Sequence, residues 1–251
     1  MRHVTAATAS TAGRSSRLRR GASRSPSTVI ALSLVLVLSM GASGQAHGVS
    51  GFDALFLQGI TGAAIGPLMY LGAKHMVTGY DHLAFLVGVI FFLYRLKDVV
   101  LYVSLFTLGH SLTLLAGVLG GIHANPYVID AVIGLSVVYK AFENIGGFER
   151  TLGFRPNTRA AVMVFGLFHG FGLATKLQEL TLSQNGLVTN IVSFNVGVEI
   201  GQVLALTTIL IALTFWRTRQ SFVRHAFAAN TALMAGGFIL MGYQLTGFYI
   251  N

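Results

Sequence analysis

Cysteine is absent from the 251 residues, which excludes disulfides and any thiolate ligand for a metal ion. Charge is nearly as scarce: 10% of the residues are Asp, Glu, Lys or Arg, against about 25% in soluble domains. Acidic residues number only 8, and none precedes residue 28, so the opening stretch has nothing to balance its arginines. No nucleotide-binding motif is present, which removes nucleotide hydrolysis as an energy source. What remains is apolar. Hydrophobic residues make up 53% of the chain and mean hydropathy is +0.69, values that fit an integral membrane protein better than one or two soluble domains.

The net charge of +9 invites a nucleic-acid partner, but its distribution argues against one. Six of the 17 basic residues (Arg2, Arg14, Arg17, Arg19, Arg20 and Arg24) come before residue 28. An apolar run, TVIALSLVLVLSM, follows them, and the small residues Gly44 and Ala46 precede His47 at cleavage spacing. Residues 1–46 therefore read as a secretory signal peptide, with His47 as the mature N-terminus. The Ser- and Arg-rich start also fits an organelle transit peptide, and Arg19-Arg20 resembles the arginine pair of a twin-arginine signal without the rest of that motif.

Six apolar segments follow, at 72–94, 98–120, 126–146, 159–178, 187–215 and 226–249, each long enough to cross a hydrocarbon layer of about 30 Å. The expected fold is an all-α integral membrane protein, with a six-helix transmembrane bundle over 72–251 after the cleavable signal peptide. Arg95 and Lys97, then Arg150, Arg155 and Arg159, then Arg217, Arg219 and Arg224 cluster in alternate connections, while GIHANP and LQELTLSQN carry no Lys or Arg. The positive-inside rule puts the basic connections in the cytoplasm and the mature N-terminus outside, as expected for a bacterial inner membrane protein. Residues 47–71 would reverse every later helix if counted as a span, so they read as an extracytoplasmic, interfacial segment weakened as a helix by Pro67 and several glycines. The pairs Gly117/Gly121, Gly166/Gly170 and Gly197/Gly201 have the four-residue spacing that lets membrane helices approach closely.

Ionisable groups inside a span cost roughly 2.5 to 3.5 kcal/mol on insertion scales, so each needs a partner or a function. Counting about 1.5 Å per residue from the outer ends, His82, His110, His169 and Glu199 all fall roughly 13 to 18 Å deep. Four separate helices thus carry potential metal ligands at one level. His75 lies two turns nearer the outside on the face of His82, and Asp81 can join the ligands or hold an imidazole tautomer. Imidazole plus carboxylate without sulfur suits Ni, Co, Zn or Fe(II) and disfavours a thiolate-type Cu(I) site, although Met69, Met76 and Met163 can offer thioethers. Asn195, Glu199 and Gln202 form one polar stripe. Asp130 and Glu143 lie nearer helix ends, where solvation or capping competes with a pathway role, and Lys74 and Lys176 can snorkel outward. His123 and His225 lie in or beside loops.

The motifs HMVTGYDHLAFL, FTLGHSLTL, AVIGLSVVYKAFEN, VFGLFHGFGLATKLQEL and SFNVGVEIGQ together resemble the HupE/UreJ family of membrane proteins over about residues 68–215. The resemblance implies nickel or cobalt uptake serving hydrogenase and urease maturation, and it maps His75, Asp81, His82 and His169 onto residues implicated in metal handling. The His-x5-Asp-His element is also similar to that of nickel/cobalt permeases. Where the hydrogenase-linked branch has a glutamate six residues after its Phe-His-Gly motif, this chain has Lys176, which makes it look closer to the second branch.

The expected function is a permease for a divalent transition metal ion (Ni, Co or Zn), with ligands His75, Asp81, His82, His110, His169 and Glu199, rather than an enzyme. Its expected partners are the lipid bilayer, the metal ion and proteins of metalloenzyme maturation. A membrane-embedded zinc hydrolase with Ser111 beside His110 is the alternative, and a metal-binding accessory subunit is the third reading.

Overall fold

The structure, a computed structural model, describes residues 51–179 and 184–250. The expected signal peptide and His47 lie outside the described residues. Among those described, all regular structure is helical, in nine helices: α1 (Gly51–Gly59), α2 (Ile65–Thr78), α3 (Tyr80–Ile90), α4 (Leu96–Gly120), α5 (Pro126–Asn144), α6 (Gly147–Leu152), α7 (Thr158–Glu179), α8 (Leu187–Arg217) and α9 (Gln220–Ile250).

Local chemistry sets several of these boundaries. Asn125 caps α5, its Oδ1 accepting from the backbone N–H groups of Tyr127 (3.0 Å) and Val128 (3.3 Å), while Pro126 starts the helix at a position that needs no donor. Gly121, the first residue after α4, has φ +61°, and its N–H returns to the Gly117 carbonyl. A side chain disfavours that left-handed turn, so Gly121 ends a helix rather than lining a seam. At the end of α3, the Arg217 guanidinium donates to the carbonyls of Phe91 (2.7 Å) and Leu93 (2.9 Å), closing groups a helix end leaves open.

Four helices, α4, α7, α8 and α9, are long and apolar enough to cross a membrane, which makes this a multi-pass membrane protein. The six expected segments are not six such helices. Segment 126–146 becomes the 19-residue α5, and Asp130, Lys140 and Glu143 all lie within it, so its composition falls short of a uniformly apolar span. Segment 72–94 is divided. The helix begins earlier, at Ile65, and breaks at Gly79, whose ψ of 96° takes the chain out of the helical region for one residue before α3 resumes.

Glycine brings the helices together in three pairs. A Cβ on Gly201 of α8 would lie 2.6 Å from the Ala73 carbonyl of α2, and one on Gly109 of α4 would lie 2.5 Å from the Met163 carbonyl of α7. The α5–α9 pair is joined likewise: a Cβ on Gly134 would lie 2.7 Å from the Met241 nitrogen. Such spacings leave no room for a side chain, so van der Waals contact between backbones runs along each pair. Of the spaced glycines, Gly166/Gly170 and Gly197/Gly201 lie in these seams.

Two apolar clusters fill the interior. One gathers Leu57 of α1, Leu68, Leu71, Leu173, Leu177 and Ile191; the other gathers Phe85, Ile90, Phe106, Val137, Val162 and Phe222. The loop between α1 and α2 is clamped by Asn190 of α8, whose Oδ1 accepts from the Ala64 N–H (2.8 Å) while its Nδ2 donates to the Gly62 carbonyl (2.9 Å).

Candidate metal centre

The break at Gly79 shapes the first part of the site. Where an uninterrupted helix would carry His75 and His82 past each other by two turns, the break brings their ring centroids to 5.2 Å. Gly79 sits directly against them: a Cβ there would lie 2.9 Å from His82 Nδ1 and 3.2 Å from Asp81 Oδ1. Asp81, in the first turn of α3, accepts through one oxygen from both the His82 backbone N–H (2.8 Å) and the His82 ring Nδ1 (3.0 Å). The carboxylate therefore stabilises the Nδ1-protonated tautomer and leaves the Nε2 lone pair as the coordinating position of His82.

His82 is the hub. Its ring lies 6.0 Å from His110 of α4 and 5.0 Å from His169 of α7, centroid to centroid. Two imidazoles on one ion with metal–nitrogen bonds of about 2.0 to 2.1 Å would have centroids roughly 4.5 to 5.5 Å apart, so these rings already stand near that spacing. All three are buried, with His82 and His169 at 0% exposure and His110 at 1%, which removes solvation as the reason for their presence. His169 Nδ1 donates to the Phe165 carbonyl (2.8 Å), because a carbonyl can only accept, and its Nε2 is left buried without a hydrogen bond. His110 Nε2 is likewise buried and unbonded. Two buried imidazole nitrogens without a hydrogen bond have the chemistry to serve as ligands of a borderline metal ion.

The rings meet edge to face, at interplanar angles of 68° to 76°. Among the described residues no three His, Asp or Glu side chains are arranged to hold one ion as they stand.

Glu199 is placed differently from the imidazoles. It is exposed on α8, while its stripe neighbours Asn195 and Gln202 are buried and turned toward α4. Asn195 Nδ2 donates to Ser111 Oγ and Thr107 Oγ1 donates to Gln202 Oε1, both at 2.8 Å. Asp130 and Lys176 also depart from expectation. They pair with each other at 2.7 Å, Asp130 buried and Lys176 partly buried, within electrostatic reach of His82 and His75 respectively. Lys176 follows His169 by seven residues, so the shared helix face was legible, but its partner 46 residues away was not. Glu143 is paired as well, with Lys140 (2.7 Å) and with Thr158, and Lys140 itself, only 6% exposed, carried no signal in the sequence beyond its i, i+3 spacing to Glu143. Lys74 pairs with Asp53 at 2.8 Å, and His123 and His225 bond only to nearby carbonyls.

Beneath the imidazoles Phe85 and Phe106 pack against His169, with centroids at 5.3 and 5.0 Å, and Phe165 closes on Phe85 at 5.9 Å. Beyond this aromatic layer Asn144 reaches the Gly88 carbonyl and Asn230, and a cavity of about 590 Å³ opens among Lys140, Glu143, Asn144, Arg150, Arg155 and Thr158.

The family described as HupE / UreJ protein matches the chain over residues 51–251. No curated protein and no solved structure matches it. The family match covers far more than half of the chain and includes every helix described above, and on that ground this protein belongs to the HupE/UreJ family.

Proposed function

We propose that this protein is a permease for a divalent transition metal, of the nickel or cobalt type, in the bacterial inner membrane. The observation that carries the proposal is the convergence of His75, His110 and His169 on His82, oriented by Asp81, in the dry interior of a membrane bundle. Neutral imidazoles without thiolate bind Ni, Co or Zn in preference to Mg or Ca, and the ion is cargo that must also leave.

In this reading the interrupted α2–α3 pair makes one crossing, and α4, α5, α7, α8 and α9 make five more. The basic connections face the cytoplasm and the cleaved N-terminus faces outward. Broken helices at membrane depth are tolerated where they line a binding site, which is where Gly79 lies. Polar groups continue on both sides of the imidazoles: the Asp130–Lys176 pair on one side and the cavity beside Glu143 on the other, with the Phe85–Phe106–Phe165 layer between site and cavity. A route with polar ends and an apolar closure suits an occluded carrier better than the single open cleft of a hydrolase.

The test is uptake of Ni²⁺ or Co²⁺ into liposomes holding a metal-sensing dye, comparing the wild type with His82→Ala. Flux in the wild type that is lost in the variant supports the reading. Zinc-dependent lipid or peptide turnover with no flux of any metal would overturn it in favour of the embedded hydrolase, and stoichiometric metal binding with neither activity would favour an accessory subunit.

A further inference from the structure

The imidazole cluster is short of negative charge for the ion it would hold. A metal-bound imidazole is neutral, so His75, His82, His110 and His169 contribute no charge, and Asp81 contributes one. A divalent ion among them would keep one positive charge uncompensated, in an interior where His82, His110 and His169 are buried.

A second carboxylate stands beside the cluster. Asp130 of α5 is 6% exposed, and its Oδ1 lies 3.6 Å from where a Cβ on Gly172 of α7 would be, one turn along that helix from His169. It is within electrostatic reach of both Asp81 and His82. The other acids of the bundle are worse placed: Glu143 lies about 20 Å farther along α5, and Glu199 is exposed on α8.

Asp130 is already neutralised, however. Lys176 Nζ donates to its Oδ2 at 2.7 Å, and the same ammonium is within electrostatic reach of His75. Lys176 therefore occupies the carboxylate and repels a cation arriving at His75. The two partners differ in freedom. The Lys176 side chain keeps 16% exposure and sits in the last turn of α7, where its four-carbon stem can carry the ammonium outward, whereas Asp130 is short and buried.

We propose that Lys176 is a tethered competitor for the transported ion: it holds Asp130 while the site is empty and swings outward when the divalent ion binds, leaving Asp130 to supply the second negative charge. The inference rests on the permease reading and gives that site a means of release. A returning ammonium reclaims Asp130 and weakens the hold on the ion, so one carboxylate serves two cations in turn.

The experiment compares the full chain in detergent with and without saturating Ni²⁺. Sulfosuccinimidyl acetate acetylates accessible lysine amines, peptide mass reads each position, and exposed Lys97, in the first turn of α4, is the internal reference. Linkage between two competing ligands is reciprocal, so Ni²⁺ should raise acetylation of Lys176 relative to Lys97 by about tenfold, and Lys176→Met should tighten Ni²⁺ binding by a comparable factor. Adding Asp130→Asn to Lys176→Met should remove that gain, and His82→Ala should show no Ni²⁺-dependent labelling. Equal acetylation of Lys176 in empty and Ni²⁺-loaded wild type overturns the proposal, whether or not the variants fold. So does a folded Lys176→Met protein that binds Ni²⁺ no tighter than wild type. A wild type that binds no Ni²⁺ removes the metal centre and the exchange together. Ni²⁺-dependent labelling of a protein that moves no metal leaves the exchange standing and removes the permease reading instead.

Discussion

Replacing Asp81 by Asn removes one charge from the interior and almost nothing else. Asp81 Oδ1 accepts two hydrogen bonds from His82, one from the backbone at 2.8 Å and one from the ring at 3.0 Å, and an asparagine oxygen can occupy the same place. What is lost is the charge that strengthens the hydrogen bond to the ring and so fixes the tautomer whose coordinating atom is Nε2. A hydrogen bond to a charged group contributes about 1.5 to 3 kcal/mol. Removing the outer partner of a metal-binding histidine typically costs 10–100-fold in affinity, which is about 1.4 to 2.7 kcal/mol, and the two ranges agree. Asp81→Asn should therefore weaken Ni²⁺ or Co²⁺ binding by roughly one to two orders of magnitude while thermal unfolding stays close to wild type. Isothermal titration of the purified protein reads the first quantity and a melting curve the second. Affinity unchanged within about twofold would refute the argument that Asp81 tunes the hub imidazole, whatever else the cluster does.

Two further substitutions test the architecture. Gly170→Ala would drive a methyl into the His110 carbonyl and the Thr113 hydroxyl, so it should destabilise the protein by about 1 to 3 kcal/mol and weaken metal binding, whereas Gly242→Ala, with open space around it, should change neither. Melting temperature and metal titration on the two variants make the comparison. Lys176→Met removes the cation paired with the buried Asp130 and should cost about 3 kcal/mol or more in denaturant unfolding, most of it recovered in the Lys176→Met/Asp130→Asn double variant. Equal stability of the single and double variants would show that the pair is not what holds Asp130.

Much of the helical architecture and part of the site were legible in the sequence, for different reasons. Apolar length located α4, α7, α8 and α9 closely, because a span is a matter of composition. Residue depth brought His82, His110 and His169 to one level, and the structure finds them together, since ionisable groups in lipid gather where they can be satisfied. Depth says nothing about azimuth, however. Glu199 shares the level of the imidazoles, yet it lies only some 40° round the helix from buried Asn195, which is enough to turn it from the α4 contact to the outside. The break at Gly79 was hidden because the local sequence is equally compatible with a continuous helix; the close approach of Gly79 to His82 and Asp81 is a tertiary fact. The Asp130–Lys176 pair was hidden for the same reason, its partners being on α5 and α7, which belong to different glycine-seamed pairs and meet only in the assembled bundle.

Those seams have a mechanical consequence. The backbones of α2 with α8, α4 with α7, and α5 with α9 are locked together, while contacts from one duplex to the next are sparser, so the molecule is three stiff staves with softer joints. His110 and His169 ride on a single stave, His75 on another, and His82 on the short helix that belongs to none. An ion held by all four rings would act as a rivet across bodies that otherwise share few contacts, and its departure would remove that tie.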